Sequence, residues 1–224
     1  MMKIIFSILL LPVLALSCKQ DDPPTQPAAA VKYMTSTTGS TWDYELVNNL
    51  GGNRTLFMVS ATGRDTPINS KAYHVFTNNS GPHEYYIISG NEYYNYRNLP
   101  AVLGGSSVEN IYLKDNVALN DTWSKSYPVT LSGIPLYVTL INTITEKGQA
   151  KTINNISYTD VIKVTTTFSI SGLVLPPGAL TTDIHAFYAP KYGMIESKNK
   201  IDINYSGIVD HTDQVTTLKS ADLK

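Results

Sequence analysis

The sequence predicts an all-β fold, an antiparallel meander of about ten to twelve strands that curls into a barrel or curved half-barrel. Three observations predict it: hydrophobic residues recur with period two and hardly at all with period 3.6, the joints between these runs have turn chemistry, and the composition suits strands. Charged residues are only 16% of the chain, while tyrosine alone occurs 15 times, and Tyr and Thr fit a pleated, half-buried surface.

The alternation is clearest in three stretches. Between Tyr158 and Ile170, Tyr158, Asp160, Ile162, Val164, Thr166, Phe168 and Ile170 share one mostly apolar face, opposed by Thr159, Val161, Lys163, Thr165, Thr167 and Ser169. Leu136, Val138, Leu140 and Ile144 repeat the pattern against Tyr137, Thr139, Thr143 and Thr145, and Ile195, Ile201, Ile203 and Tyr205 repeat it against Glu196, Lys198, Lys200 and Asp202. One wet face and one dry face is the habit of antiparallel sheet. Ser89-Gly90-Asn91-Glu92 and Asn48 to Asn53 read as hairpin turns between such runs. Asn98 to Asn110 is rich in glycine and serine, and Ser107 to Leu113 is the one stretch here expected to form a helical turn. A twisted open sheet of more than about ten strands rarely stays flat, so sequential hairpins are expected to close into a barrel or half-barrel.

Ahead of this domain the chain carries a targeting segment. Lys3 precedes an apolar run from Ile4 to Leu16, about 13 residues, which suits a secretory signal core and is well short of the ~20 needed to span a bilayer. The run ends in small residues, Ala15 and Ser17, before Cys18, the chain's single cysteine. Residues 1–17 are therefore expected to be a signal peptide, 18–33 a lipidated N-terminus with a Pro-rich linker, and 34–224 one β domain. The linker, Pro23-Pro24-Thr25-Gln26-Pro27 and three alanines, reads as an extended spacer at roughly 3 Å per residue. Loss of Lys3 makes the mature chain one unit more negative than the −1 of the whole sequence. That balance excludes nucleic acid as an expected partner, because phosphate backbones reward clustered Lys and Arg.

Leu14 to Cys18 resembles the bacterial lipobox, in which the cysteine thiol receives a diacylglycerol and becomes the first mature residue. Lys19, Asp21 and Asp22 are similar to the surface-export tag that follows this cysteine in lipoproteins of Bacteroidetes-type bacteria. The resemblance implies an outer-membrane protein anchored through Cys18 and displayed at the cell surface, with the periplasmic leaflet as the alternative. The order Gly39-Ser40-Thr41-Trp42-Asp43-Tyr44, Leu119 to Trp123, Tyr158 to Val164 and Phe187 to Ile195 resembles a group of uncharacterised periplasmic or lipid-anchored β proteins. These are similar in architecture to half-barrel lipoprotein carriers and outer-membrane lipoprotein receptors.

Chemistry-bearing motifs are sparse. The sequence has no Gly-rich phosphate loop, Gly-x-Ser-x-Gly elbow, Cys-x-x-Cys or His-Glu-x-x-His, and no metal or cofactor is expected. Ser197 and Lys200 have Ser-x-x-Lys spacing, but on a strand they point to opposite sides. Asp183 and His185 share one strand face, Asp160 interrupts an apolar one, and Asp210 to Asp213 reads as a polar turn, with His83 in a loop. Tyr85, Tyr86, Tyr93, Tyr94 and Tyr96 crowd one hairpin, where flat amphipathic rings can stack on a sugar or meet a partner surface. The favoured expectation is a non-enzymatic binding or interaction module for a hydrophobic ligand, lipid, glycan or envelope protein. The alternative is a hydrolase using Asp160, Asp183 and His185, which requires the three groups to converge in one cleft.

Overall fold

The computed structural model describes residues 31–99, 105–131, 134–172, 174–205 and 208–224. Cys18, Lys19, Asp21 and Asp22, with the signal and most of the linker, lie outside the described residues. Twelve strands follow in order: β1 (Thr41–Asn48), β2 (Arg54–Ile68), β3 (Lys71–Asn78), β4 (Glu84–Ser89), β5 (Glu92–Asn98), β6 (Ser107–Lys114), β7 (Thr122–Leu131), β8 (Ile134–Ile153), β9 (Ile156–Ser171), β10 (Leu180–Ala189), β11 (Gly193–Tyr205) and β12 (Ile208–Asp222). All pairings are antiparallel, and there is no helix among the described residues. Ser107 to Leu113, expected as a helical turn, is strand β6. Val108, Asn110 and Tyr112 are buried in alternation with Ser107, Glu109 and Ile111, a period of two that a helix cannot satisfy.

The sheet order is β6-β5-β4-β3-β2-β1-β12-β11-β10-β9-β8-β7. A simple meander would leave its first and last strands as edges. Here β1 and β12 pair along their length, from Thr41↔Asp222 to Asn48↔Gln214, and the break falls between the consecutive strands β6 and β7. The result is a nearly closed barrel-shaped sheet with one seam.

Side chains bridge the seam where backbone pairing stops. The Trp123 indole N–H donates to the Ile111 carbonyl at 2.8 Å, joined by Asn142 Nδ2 at 3.2 Å. Tyr127 donates to the Glu109 carbonyl at 2.7 Å. Edge carbonyls of β6 that would otherwise lie bare are thereby satisfied. Pro128 in β7 adds protection, since it removes one backbone donor from that edge.

Three apolar clusters form the core, the first continuing onto the outer face at Phe187, which lies beneath Lys151 of the β8–β9 hairpin. Trp42, Tyr44, Phe76, Phe187, Ile195 and Leu218 belong to the first, Tyr93, Tyr112, Ile144, Ile162 and Tyr188 to the second, and Val108, Tyr127, Leu136 and Val138 to the third. The second and third unite β5 and β6 with β7 to β10, so packing closes the seam as well.

Two hairpins bend away from the barrel wall. β9 pairs with β10 only from Ile162 to Thr166, and the β8–β9 tip beyond it turns onto the last strands. There Asn154 donates to the Leu218 carbonyl at 2.7 Å and Lys151 pairs with Glu196 at 3.1 Å. β2 has a register break between Ala61 and Asp65, and the outer arm of the β2–β3 hairpin bends there. The N-terminal segment fixes both bends. Tyr33, within the stretch expected to be linker, is buried, accepted by Tyr93 Oη at its N–H (3.0 Å) and donating its hydroxyl to the Asp160 carbonyl (2.7 Å). Gly63 has φ +69°, and a Cβ there would meet Thr38 Oγ1 at 2.3 Å.

Gly63→Val therefore meets both a disallowed backbone region and a clash. Chemical denaturation of this variant is expected to show a loss of about 2 kcal/mol or more, whereas Gly90→Ala, in open space at a turn tip, is expected to lose about 1 kcal/mol.

Candidate functional site

The tyrosines of the β4–β5 hairpin divide between the two sides of the sheet, as strand alternation requires. Tyr86 and Tyr93 enter the core. Tyr86 meets Phe76 edge-on at 5.1 Å and donates to Glu84 Oε2 at 2.5 Å. Tyr93 is fully buried and donates to Asp115 Oδ2 at 2.7 Å. Burial, reinforced by these carboxylates, raises both phenols above their ordinary value. The Tyr93 ring is thus closed to a ligand at the surface, and the Tyr86 ring is only partly exposed.

Tyr85, Tyr94 and Tyr96 lie on the opposite side, with Tyr85 beside Tyr96 and Tyr96 beside Glu109. The bent β2–β3 arm reaches over this face. It sets Tyr73 against Tyr96 with ring centroids 6.3 Å apart and Lys71 Nζ 4.4 Å over the Tyr94 ring. Tyr94 donates to Glu92, and burial together with that carboxylate pushes its pKa up to about 12. The rings that remain outside the core are thus partly covered by another piece of the same chain.

Glu109 gathers these contacts. Its carboxylate accepts from Lys71 Nζ at 2.9 and 3.0 Å, from Tyr73 Oη at 2.5 Å and from Lys125 Nζ at 3.3 Å. The donors come from β3 and β7, on either side of β6, so one side chain pins the folded-over arm and spans the seam. Burial acts to raise its pKa, but the Tyr73 and Lys71 hydrogen bonds and the two lysine charges outweigh it and hold the carboxyl below its ordinary value. Sequence reading missed this cluster. Lys71, Glu109 and Lys125 are far apart along the chain, and each sits in a strand where a charged residue is unremarkable.

Asp183 and His185 do meet, with His185 Nδ1 2.9 Å from Asp183 Oδ1, and Lys198 Nζ donates to Asp183 Oδ2 at 2.6 Å. The Lys198 hydrogen bond, with help from His185, lowers the Asp183 pKa. Asp160 stands apart. His185 pairs with Thr165, so Asp160 lies five residues, roughly 16 Å, further along β9. It is also exposed and has φ +52°. The register of β9 slips at this point, and Asp160 leaves the apolar face that its place in the alternation suggested. Its backbone, through Tyr33, carries the structural contact. Asp210 to Asp213, expected as a turn, lies within β12, where His211 Nδ1 is 3.0 Å from Asp202; His83 does lie in a connection, between β3 and β4. Among the described residues no three His, Cys, Asp or Glu side chains are grouped to hold a metal ion.

Two clefts open on the surface. One, of about 230 Å³, is lined by Ser106, Pro128, Val129, Pro135, Leu136 and Tyr137 at the end of the β7–β8 hairpin. The other, of about 330 Å³, lies over β1 and β2 and is lined by Asp43, Tyr44, Leu56, Met58, Asn79 and Lys219.

No family model matches this chain, and no curated protein does. Two crystal structures resemble it. One is of a "putative lipoprotein" from Parabacteroides distasonis ATCC 8503, with 13% identity, 86% of this chain and 99% of that one covered, and a TM-score of 0.48. The other is of a "putative exported protein with YmcC-like fold" from Bacteroides fragilis NCTC 9343, with 10% identity, 86% and 100% coverage and a TM-score of 0.50. At this identity the likeness concerns the fold.

Because the Glu109 carboxyl is depressed in the folded chain, its stabilisation is present at neutral pH and fades as pH falls through the folded value. Glu109→Gln is expected to cost about 1–3 kcal/mol at pH 7. In thermal unfolding followed from pH 7 to about pH 3, the gap between the variant and the natural chain narrows as the carboxyl protonates.

Proposed function

We propose that this chain is a lipid-anchored envelope protein whose β domain works by contact, presenting its outer surface to a partner, and that it is neither a ligand container nor a catalyst. The observation that carries this reading is the filled interior. Tyr93, Phe76, Ile144, Ile162, Val138 and Leu218 are all fully buried between the walls of the sheet, occupying the volume where a carrier would hold an apolar ligand. The separation of Asp160 from Asp183 and His185 weighs against the hydrolase reading, which needs them together.

The address rests on the sequence. The basic start, the apolar run and Cys18 support lipidation, and multiple acyl chains at about 0.8 kcal/mol per buried methylene make a firm anchor. Lys19, Asp21 and Asp22 support display at the cell surface of the outer membrane. The Bacteroides fragilis neighbour, described as a "putative exported protein", agrees with an envelope location.

Metabolic labelling with an alkyne-tagged palmitate tests the anchor. The natural chain is expected to take up label and sediment with membranes, and Cys18→Ser to lose the label and its membrane attachment. An unmodified thiol in the aqueous fraction would refute the address. Native mass spectrometry of the β domain is expected to show no enclosed lipid, and a stoichiometric apolar ligand would refute the contact reading.

A further inference from the structure

The seam edges of the sheet are guarded by Trp123, Tyr127, Asn142 and Pro128. A third edge is not. β2 starts at Arg54, but β3 pairs with it only from Val59↔Asn78 onward. Asn79 extends the match by one step, its N–H donating to the Met58 carbonyl at 3.1 Å and its Oδ1 accepting the Met58 N–H at 2.8 Å. Beyond Met58 the β3 side of β2 is bare.

Which groups are bare follows from strand geometry. Ala61 exchanges backbone bonds with Ser40 and Gly39 on the β1 side, whereas Met58 directs its N–H and C=O to the β3 side. Along an antiparallel strand this direction alternates. Leu56 and Arg54 therefore aim their N–H and C=O groups where β3 no longer runs, and neither has a bond there among the described residues. Such a row is a template for another strand.

The side chains suit a peptide. Leu56 is 71% exposed and Met58 38%, unusual for large apolar residues on a sheet edge, and they border the 330 Å³ cleft, a space of the size of a few apolar side chains. Charges around it cancel. Arg54 and Lys219 both reach Glu45, at 3.1 and 3.5 Å, and Asp43 is held by Ser220 at 2.8 Å. That balance fits a neutral, apolar segment better than a phosphate backbone or an anionic lipid surface.

We infer that the Arg54–Met58 edge of β2 is a strand-addition site, at which an extended segment of a partner protein pairs with Leu56 and Arg54 and places an apolar side chain in the adjacent cleft. This deepens the contact reading above and rests on it. The two fail separately, because peptide pairing is read on the protein in solution and the anchor in cells.

The test uses the chain in detergent micelles with the peptide acetyl-Thr-Val-Thr-Val-Thr-amide as probe, followed by amide chemical shifts. Two analogues are compared, one N-methylated at its valines and one at its threonines. The peptide is expected to bind weakly and to shift the amides of Leu56 and Arg54 most. Only one analogue is expected to lose binding, because alternate residues of an added strand face β2.

Leu56→Pro deletes an outward N–H that makes no ladder bond, so its fold and melting temperature are expected to persist. Its binding is expected to fall by roughly tenfold or more. Leu56→Thr keeps that N–H and is expected to retain part of the affinity. Equal binding by both analogues, or undiminished binding by Leu56→Pro, would overturn the proposal. So would amide shifts that appear on concentrating the protein alone, because the occupant would then be a second copy of this chain.

Discussion

Everything in this sheet follows from the pairing of its first strand with its last. The β1–β12 ladder joins residues as distant as Thr41 and Asp222, and it is reinforced where the Lys224 N–H donates to Ser40 Oγ at 3.1 Å. Such a contact repays its loop-closure entropy only after nearly the whole chain is in place, so the fold is one of high contact order and expected slow assembly. Once made, it moves the barrel's opening to the middle of the sequence, between β6 and β7. The chain then fastens that opening with side-chain donors, core packing and the Glu109 carboxylate.

The same closure explains the bent hairpins. β8 spans 20 residues and β9 spans 16, far longer than the five residues over which β9 pairs with β10. The excess bends onto the last strands, just as the β2–β3 arm bends over β4 to β6. Each bend needs a backbone irregularity, Asp160 and the β8–β9 register slips in one case, Gly63 and the Ala61/Asp65 break in the other. The outer face of the barrel is consequently part wall and part folded arm, which is why the tyrosine face is only partly open.

Much of this was legible beforehand and some was not. Alternation identified the buried rows of β8, β9 and β11, since a period of two is a local property of a strand with one wet side. Turn residues likewise marked the β1–β2 and β4–β5 hairpins. The site of the break was invisible, because nothing local distinguishes the β6–β7 connection from any other. Asp160 was misplaced for a related reason: a register slip changes which face a residue occupies, and a single sequence does not reveal where a partner strand loses step. Glu109 escaped notice because its partners come from β3 and β7, and only the folded arm brings them together. The tyrosine cluster was visible as a composition, but its division into two core rings and three outer ones required the hairpin register.

Tyr33 gives the molecule a mechanical property. The chain enters the β domain through a short segment in which Tyr33 is tied to Tyr93 and Asp160, and the Lys32 carbonyl accepts the Lys191 N–H at 2.7 Å. Tension pulling on the residues ahead of Val31 thus loads β5, β9 and the β10–β11 turn before it reaches β1. A tug that would otherwise peel one strand from its neighbours is distributed across several, so the segment serves as a strain relief, as a clamp does where a cable enters its housing.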